Sequence, residues 1–335
     1  MKKGMEFVKV TGDIFAKAPY FFQNETDGYA ELFRHDQLGM LHVEDDHPHY
    51  YFRNLNMDST RWAGAIRPGD GPLATQTVMV DREIAQSIPA TPYGPIEGEP
   101  FAYRMRTEDP NNLYEWHEDY CHFVEDGILD VKCKYFPYAL VMHYDSPYKA
   151  TFINLAIYGE GTYNGQKIKY MGCIDRVYAP KGRENEIIAN ATTYLNGYYS
   201  CIREDGRKEY FFGQINGDKN GEGAVGYYLE GEEPILSTEI YLDADWYKLP
   251  YVDDGTCVYT DGTWRFEGKE IHVKGLWGSK GFTPVPRVER HGQSQCFGTW
   301  HEGDVPYVQQ NYCVFNESME VYEERIRKMG FEIRK

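Results

Sequence analysis

The 335-residue chain has no run of about 18 apolar residues, so no membrane-spanning helix is expected. Its seven cysteines (Cys121, Cys133, Cys173, Cys201, Cys257, Cys296 and Cys313) are odd in number, widely spaced and form no CxxC pair. That excludes a zinc ribbon, argues against a disulfide framework, and makes a reduced cytoplasm the expected compartment. No Walker phosphate loop occurs, and there is no βαβ rhythm. A doubly wound nucleotide-binding fold is therefore not expected, nor is a cofactor. The nucleophile elbow GxSxG is absent too. Positive charge is scarce: 35 Lys and Arg against 52 Asp and Glu leave a net charge of −17. Such a chain repels phosphate backbones and anionic lipid heads, so nucleic-acid binding and membrane insertion are not expected. The N-terminal lysines are followed by interleaved charges rather than an apolar core, and export is not expected.

What the chain has in plenty is aromatic side chains, 29 Tyr, 17 Phe and 6 Trp, together with 33 Gly. That mixture favours strands joined by tight turns. Asp126-Gly127, Asn164-Gly165, Asp205-Gly206 and Asp261-Gly262 each sit between residues suited to a pleated sheet. Asn-Gly and Asp-Gly accept the positive φ that a type I′ hairpin turn requires. The expected fold is all-β, two consecutive antiparallel lipocalin-like barrels with a short C-terminal helix. The polar stretch at 179–186 marks the junction, giving domains 1–182 and 183–335. The helix is expected at 318–329, where apolar residues recur at helical spacing.

Two hairpins can be read face by face. If Asp126-Gly127 is a two-residue turn, His122 faces Val131 and Tyr120 faces Cys133. One face then carries Trp116, Glu118, Tyr120 and His122 among aromatic and sulfur side chains. Glu118 and His122 become candidates for general acid and base, because burial raises a carboxylic acid's proton affinity and lowers an imidazole's. The structural alternative is that both merely hydrogen-bond tyrosine hydroxyls. The Asn164-Gly165 turn pairs Ile153 with Arg176, Asn154 with Asp175 and Leu155 with Ile174. Ile153, Leu155, Ile157, Ile168, Tyr170 and Ile174 form a core face. The opposite face carries Phe152, Asn154, Ala156, Tyr158, Met171, Cys173, Asp175 and Val177, a mixture suited to the wall of a ligand cavity. Asp175 is the leading catalytic candidate there, with Asn154, Tyr158, Tyr120, Trp116 and Arg176 as substrate-binding candidates; a structural Asp175 paired with Asn154 or Arg176 is the alternative. His47 and His49 have metal-like HxH spacing without a third ligand, so no metal is expected. His117, Glu118 and His122 lack HExxH spacing.

The segment from Gly161 through Asn164-Gly165 to Gly172-Cys173-Ile174-Asp175-Arg176 resembles the tandem lipocalin-like family that includes carotenoid 1,2-hydratase-like and related terpenoid- and polyketide-modifying proteins. Members often carry a glycine, an Asp-His pair and Trp-Gly on this strand. Here Asp175 is kept, Arg176 stands where His is usual, and Val177-Tyr178 replace Trp-Gly. The resemblance implies a cofactor-independent site that binds a hydrophobic small molecule and hydrates, dehydrates or isomerises it. Asp175 or Glu118 would donate the proton and His122 accept it. A non-catalytic carrier of an apolar ligand, and a carbohydrate-binding protein or glycoside hydrolase using Glu118 and Asp175, are the alternatives. A homodimer is allowed but not required.

Overall fold

The structure is a computed structural model. It describes residues 5–11, 14, 30–43, 49–56, 61–68, 94–99, 102–106, 111–144, 150–180, 194–216, 223–248, 257–275, 283–287, 291–299, 307–314 and 333–334. The chain divides into two compact units, one from Lys2–Pro68 and Val80–Ala189, the other chiefly from Asn190–Lys335. The expected junction at 182/183, the 318–329 helix and His47 lie outside the described residues. No helix among the described residues is long and apolar enough to cross a membrane.

The N-terminal unit contains β1 (Met5–Lys9), β2 (Ala30–Val43), β3 (His49–Asn56), β4 (Arg61–Pro68), β5 (Gly94–Pro95), β6 (Tyr103–Arg106), β7 (Leu113–Trp116), β8 (Tyr120–Glu125), β9 (Leu129–Tyr135), β10 (Tyr138–Tyr144), β11 (Ala150–Tyr163) and β12 (Gln166–Pro180). They form one antiparallel sheet ordered β4-β3-β2-β12-β11-β9-β8-β7-β6-β5, with β10 joining β11 and β1. The long β11 pairs with β10 through 150–154 and with β9 through 157–163. Phe136 N–H donates to Ala156 C=O at 2.9 Å, bridging the change of partner. The all-β, antiparallel expectation holds. Among the described residues the sheet path runs from β4 to β5.

Two turns decide which residues are inside. Asn164 and Gly165 both take positive φ, 48° and 78°, so the β11–β12 turn is the two-residue type I′ expected from Asn-Gly. Asn154 lies opposite Asp175 and Ile153 opposite Arg176, as the turn requires. At Asp126-Gly127 only the glycine has positive φ, 67°, and Ile128 N–H donates to Glu125 C=O. The loop therefore holds three residues, Glu125 pairs with Leu129, and the register slips by one from the two-residue expectation. A one-residue slip turns every side chain to the other face. A further turn over Glu118-Asp119, closed by His117 N–H donating to Tyr120 C=O at 2.8 Å, separates β7 from β8 and places Trp116 opposite Cys121. The interior therefore holds Tyr114, Trp116, Cys121, Phe123, Leu129, Val131 and Cys133, packed on Ile153, Leu155, Ile157, Ile168, Tyr170 and Ile174.

The C-terminal unit contains β13 (Tyr194–Ile202), β14 (Lys208–Asn216), β15 (Gly223–Leu229), β16 (Ile235–Ser237), β17 (Tyr241–Lys248), β18 (Cys257–Phe266), β19 (Lys269–Gly275), β20 (Thr283–Arg287), β21 (His291–Thr299), β22 (Tyr307–Val314) and β23 (Ile333–Arg334). It is again antiparallel apart from the short β17–β23 contact. Asp205-Gly206 lies in a longer loop, with Arg203 N–H bonded to Arg207 C=O, and Asp261-Gly262 lies inside β18. The tight turn there is Glu267-Gly268, with φ of 46° and 72°. Phe211, Trp264, Phe266 and Tyr227 form its aromatic core. Buried Glu209 accepts the Tyr227 hydroxyl at 2.6 Å; burial and that carboxylate push the tyrosine's proton affinity well up.

Candidate active site

The β11–β12 ribbon presents two buried faces with different chemistry. The face packed into the hydrophobic core carries Arg176, fully buried, with its guanidinium carbon 4.3 Å from the Trp116 ring centroid. Arg176 Nη1 also donates to the Tyr178 hydroxyl at 3.3 Å. A guanidinium stacked on indole is stabilised by the ring's negative face, which offsets part of the cost of its burial. Around it Tyr114, Trp116 and Phe123 meet edge to face, and the Tyr114 hydroxyl donates to buried Glu125 at 3.2 Å. Cys121 lies against Cys133; burial first, then the neighbouring thiol, pushes the Cys121 thiol up.

The opposite face holds Asn154 and Asp175. Asn154 is fully buried and Asp175 is 6% exposed. Asn154 Nδ2 donates to Asp175 Oδ1 at 2.5 Å. That bond orients the carboxyl, but it uses only the amide's donor end. Asn154 Oδ1 is buried with no hydrogen-bond partner. A buried acceptor left unmade costs about 1–3 kcal/mol, so this oxygen is suited to a donor from outside the protein. Ala156, Met171 and Cys173 on the same face are buried, and Tyr158 is half-buried, edge-on to Phe136 at 5.5 Å. A carboxyl and a carboxamide in an apolar and aromatic wall can exchange a proton with a neutral ligand and orient it.

The other candidates fall elsewhere. Glu118 is exposed in the β7–β8 turn. His122 is half-exposed on the outer face, where its Nε2 lies 2.7 Å from Asp130 Oδ1. Tyr120 is half-buried, stacked on His117 at 4.3 Å with the Lys132 ammonium 3.6 Å from its ring centroid. Burial, with Glu99, Glu115 and Asp119 nearby, raises the Tyr120 hydroxyl's proton affinity. Trp116 and Arg176 occupy the core face, away from Asp175. The shared face expected for Trp116, Glu118, Tyr120 and His122 rested on an unbroken strand and a two-residue turn; the Glu118-Asp119 turn and the three-residue loop remove both conditions. Of the candidates, only Asp175 and Asn154 are in contact, and Tyr158 lies on the same face four residues along β11.

One polar cluster escaped the sequence reading. His117 is buried between two carboxylates, its Nδ1 3.0 Å from Glu99 Oε2 and its Nε2 3.2 Å from Glu115 Oε2. Arg104 Nε donates to Glu115 at 2.5 Å. Burial pushes the Glu115 carboxyl up, but the bonds from His117 and Arg104 outweigh it and hold it below the usual carboxylate range. The alternation Glu115-x-His117 was the available signal, but the Glu99 partner is distant in sequence. No group of three or more metal-ligating side chains occurs among the described residues.

No family model matches the chain, and no curated protein matches it. Among solved structures it is similar to a candidate AttH from Nitrosomonas europaea, at 9% identity and a TM-score of 0.39, over 88% of this chain and 95% of that one. It is also similar to kievitone hydratase from Nectria haematococca, at 10% identity and a TM-score of 0.41, over 85% of this chain and 89% of that one. At these scores the likeness is of coarse chain course and assigns no chemistry.

Proposed function

We infer that the chain is a cofactor-independent lyase acting on a neutral hydrophobic small molecule, adding water across or removing it from a carbon–carbon bond by acid–base catalysis. The observation that supports this reading most is the Asn154–Asp175 pair: a buried carboxyl held by one end of an amide whose other end is a buried acceptor without a partner. Water addition needs a proton donor for carbon and an acceptor to orient the incoming or departing hydroxyl, and the two groups supply those roles. The apolar wall around them would shield a cationic intermediate from bulk water. Isomerisation would use the same carboxyl without the hydroxyl acceptor.

The test is incubation of the full chain with a panel of polyprenoid and polycyclic alkenes and their alcohols in heavy-oxygen water, followed by mass spectrometry. Gain or loss of one labelled water by wild type, abolished in Asp175→Asn with binding retained, supports the reading. A ligand bound with equal affinity by both proteins and never altered would leave a carrier in its place.

A further inference from the structure

The β5–β6 hairpin has a short ladder: Gly94 pairs with Arg104 and Pro95 with Tyr103. Beyond it Ile96 N–H donates to Ala102 C=O at 2.8 Å, and the chain turns at Gly98, where φ is 80°. Nearer the tip the bonds lengthen, to 3.2 Å from Glu99 N–H to Ile96 C=O and 3.5 Å from Ala102 N–H to Glu99 C=O. Bonds of that length contribute little, so the position of the tip depends on side-chain contacts.

Glu99 makes such a contact. Its Oε2 lies 3.0 Å from His117 Nδ1, while His117 Nε2 lies 3.2 Å from Glu115 Oε2. An ionised carboxylate only accepts hydrogen bonds, and a neutral imidazole has one N–H and one bare nitrogen. Both contacts are hydrogen bonds only while the ring carries two protons. With one proton removed, a nitrogen lone pair faces a carboxylate.

The other groups around the ring come from every neighbouring strand. Arg104 on β6 is bonded to Glu115 on β7. Tyr120 on β8 stacks on the ring at 4.3 Å, and the Lys132 ammonium on β9 lies 3.6 Å from the tyrosine's centroid. The Tyr135 hydroxyl, also on β9, lies 3.0 Å from His117 C=O and 2.6 Å from Tyr120 C=O. Glu118 and Asp119 are exposed in the β7–β8 turn. The carboxylates of Glu99, Glu115, Glu118 and Asp119 thus outnumber the cations Arg104 and Lys132, and a positively charged ring offsets part of the surplus. The two carboxylates on the ring differ in freedom. The Glu115 side chain is 13% exposed and tied to Arg104, whereas that of Glu99 is 54% exposed. Glu99 is therefore the partner that leaves when a bond is lost.

We propose that His117 is a proton-operated clasp on the β5–β6 hairpin. With both ring nitrogens protonated it fastens the Glu99 tip to β7; loss of one proton releases Glu99 to water. The clasp does not depend on the reaction proposed for Asn154 and Asp175.

The experiment follows the full-length protein across pH by nitrogen-15 NMR of the imidazole rings and by amide hydrogen exchange at residues 97–99, in wild type and Glu99→Gln. The stack on Tyr120 identifies the His117 ring through space, so no His117 variant has to fold. The expected result is two protonated nitrogens while the tip is protected. As one proton leaves, exchange at 97–99, corrected for the direct effect of pH, should rise about fivefold. In Glu99→Gln the amide accepts from a protonated nitrogen or donates to a bare one, so exchange should no longer follow the ring. A ring with one proton throughout beside a protected tip, exchange indifferent to the ring's proton, or the same step in Glu99→Gln would each overturn the clasp.

Discussion

Arg176 lies with its guanidinium 4.3 Å from the centre of the Trp116 ring, and both side chains are wholly buried. The contact joins β12 to β7 through the core of the N-terminal unit. Replacing Trp116 with Ala removes the ring's packing and leaves the buried cation without its aromatic face. The expected loss is about 3–5 kcal/mol, measured by urea denaturation. Trp116→Phe should recover a large part of it; equal losses for the two variants would show that the stacking contributes nothing.

The Asn164-Gly165 turn fixes the pairing of Asn154 with Asp175. Asn164 has a φ of 48°, a conformation asparagine tolerates and alanine does not. Asn164→Ala should cost about 1 kcal/mol, while Asn164→Gly should change stability by only a few tenths. Thermal unfolding of the two variants distinguishes backbone conformation from loss of the side chain.

Glu115 links the pH dependence of the N-terminal unit to a named contact. Its carboxyl is held below the usual range by His117 and Arg104, against the opposing effect of burial. A carboxyl more acidic in the folded than in the unfolded chain stabilises the fold above its unfolded value, and that contribution disappears as pH falls through the folded value. Wild type should therefore exceed Glu115→Gln by about 1 kcal/mol at neutral pH. The gap should close on acidification; a gap unchanged down to strongly acid pH would contradict the assignment.

Gly159 pairs with Cys133 on β9, and a Cβ placed on it would lie 2.8 Å from the Cys133 sulfur and 2.7 Å from its Cα. The backbone on that side cannot give way cheaply. Gly159→Ala should destabilise the protein by about 1–3 kcal/mol, read from the denaturation midpoint. The same crowding and burial should keep Cys121 and Cys133 unreactive towards maleimide in native protein and reactive after unfolding.

The site was legible where a local rule reached it. Asn-Gly selects a two-residue turn, the turn selects the register, and the register puts Asn154 beside Asp175; each step lies within one hairpin. The same reasoning failed at Asp126-Gly127 because Asp-Gly also fits a longer loop, and nothing in the dipeptide counts the residues in it. Burial of Cys121, Phe123 and Glu125 in place of Tyr120 and His122 shows which register prevailed. The neighbours of Glu118 suit a strand, whereas the backbone turns at that point.

The sequence by itself determined an antiparallel β protein, through its aromatic and glycine content, and one hairpin with its buried Asn–Asp pair, through a dipeptide that accepts positive φ. Tertiary structure decided which faces are buried and brought His117 between Glu99 and Glu115. The physical reason is range: a turn acts on the few residues around it, whereas pairing between strands distant in the chain is chosen by the burial and hydrogen bonding of the whole sheet.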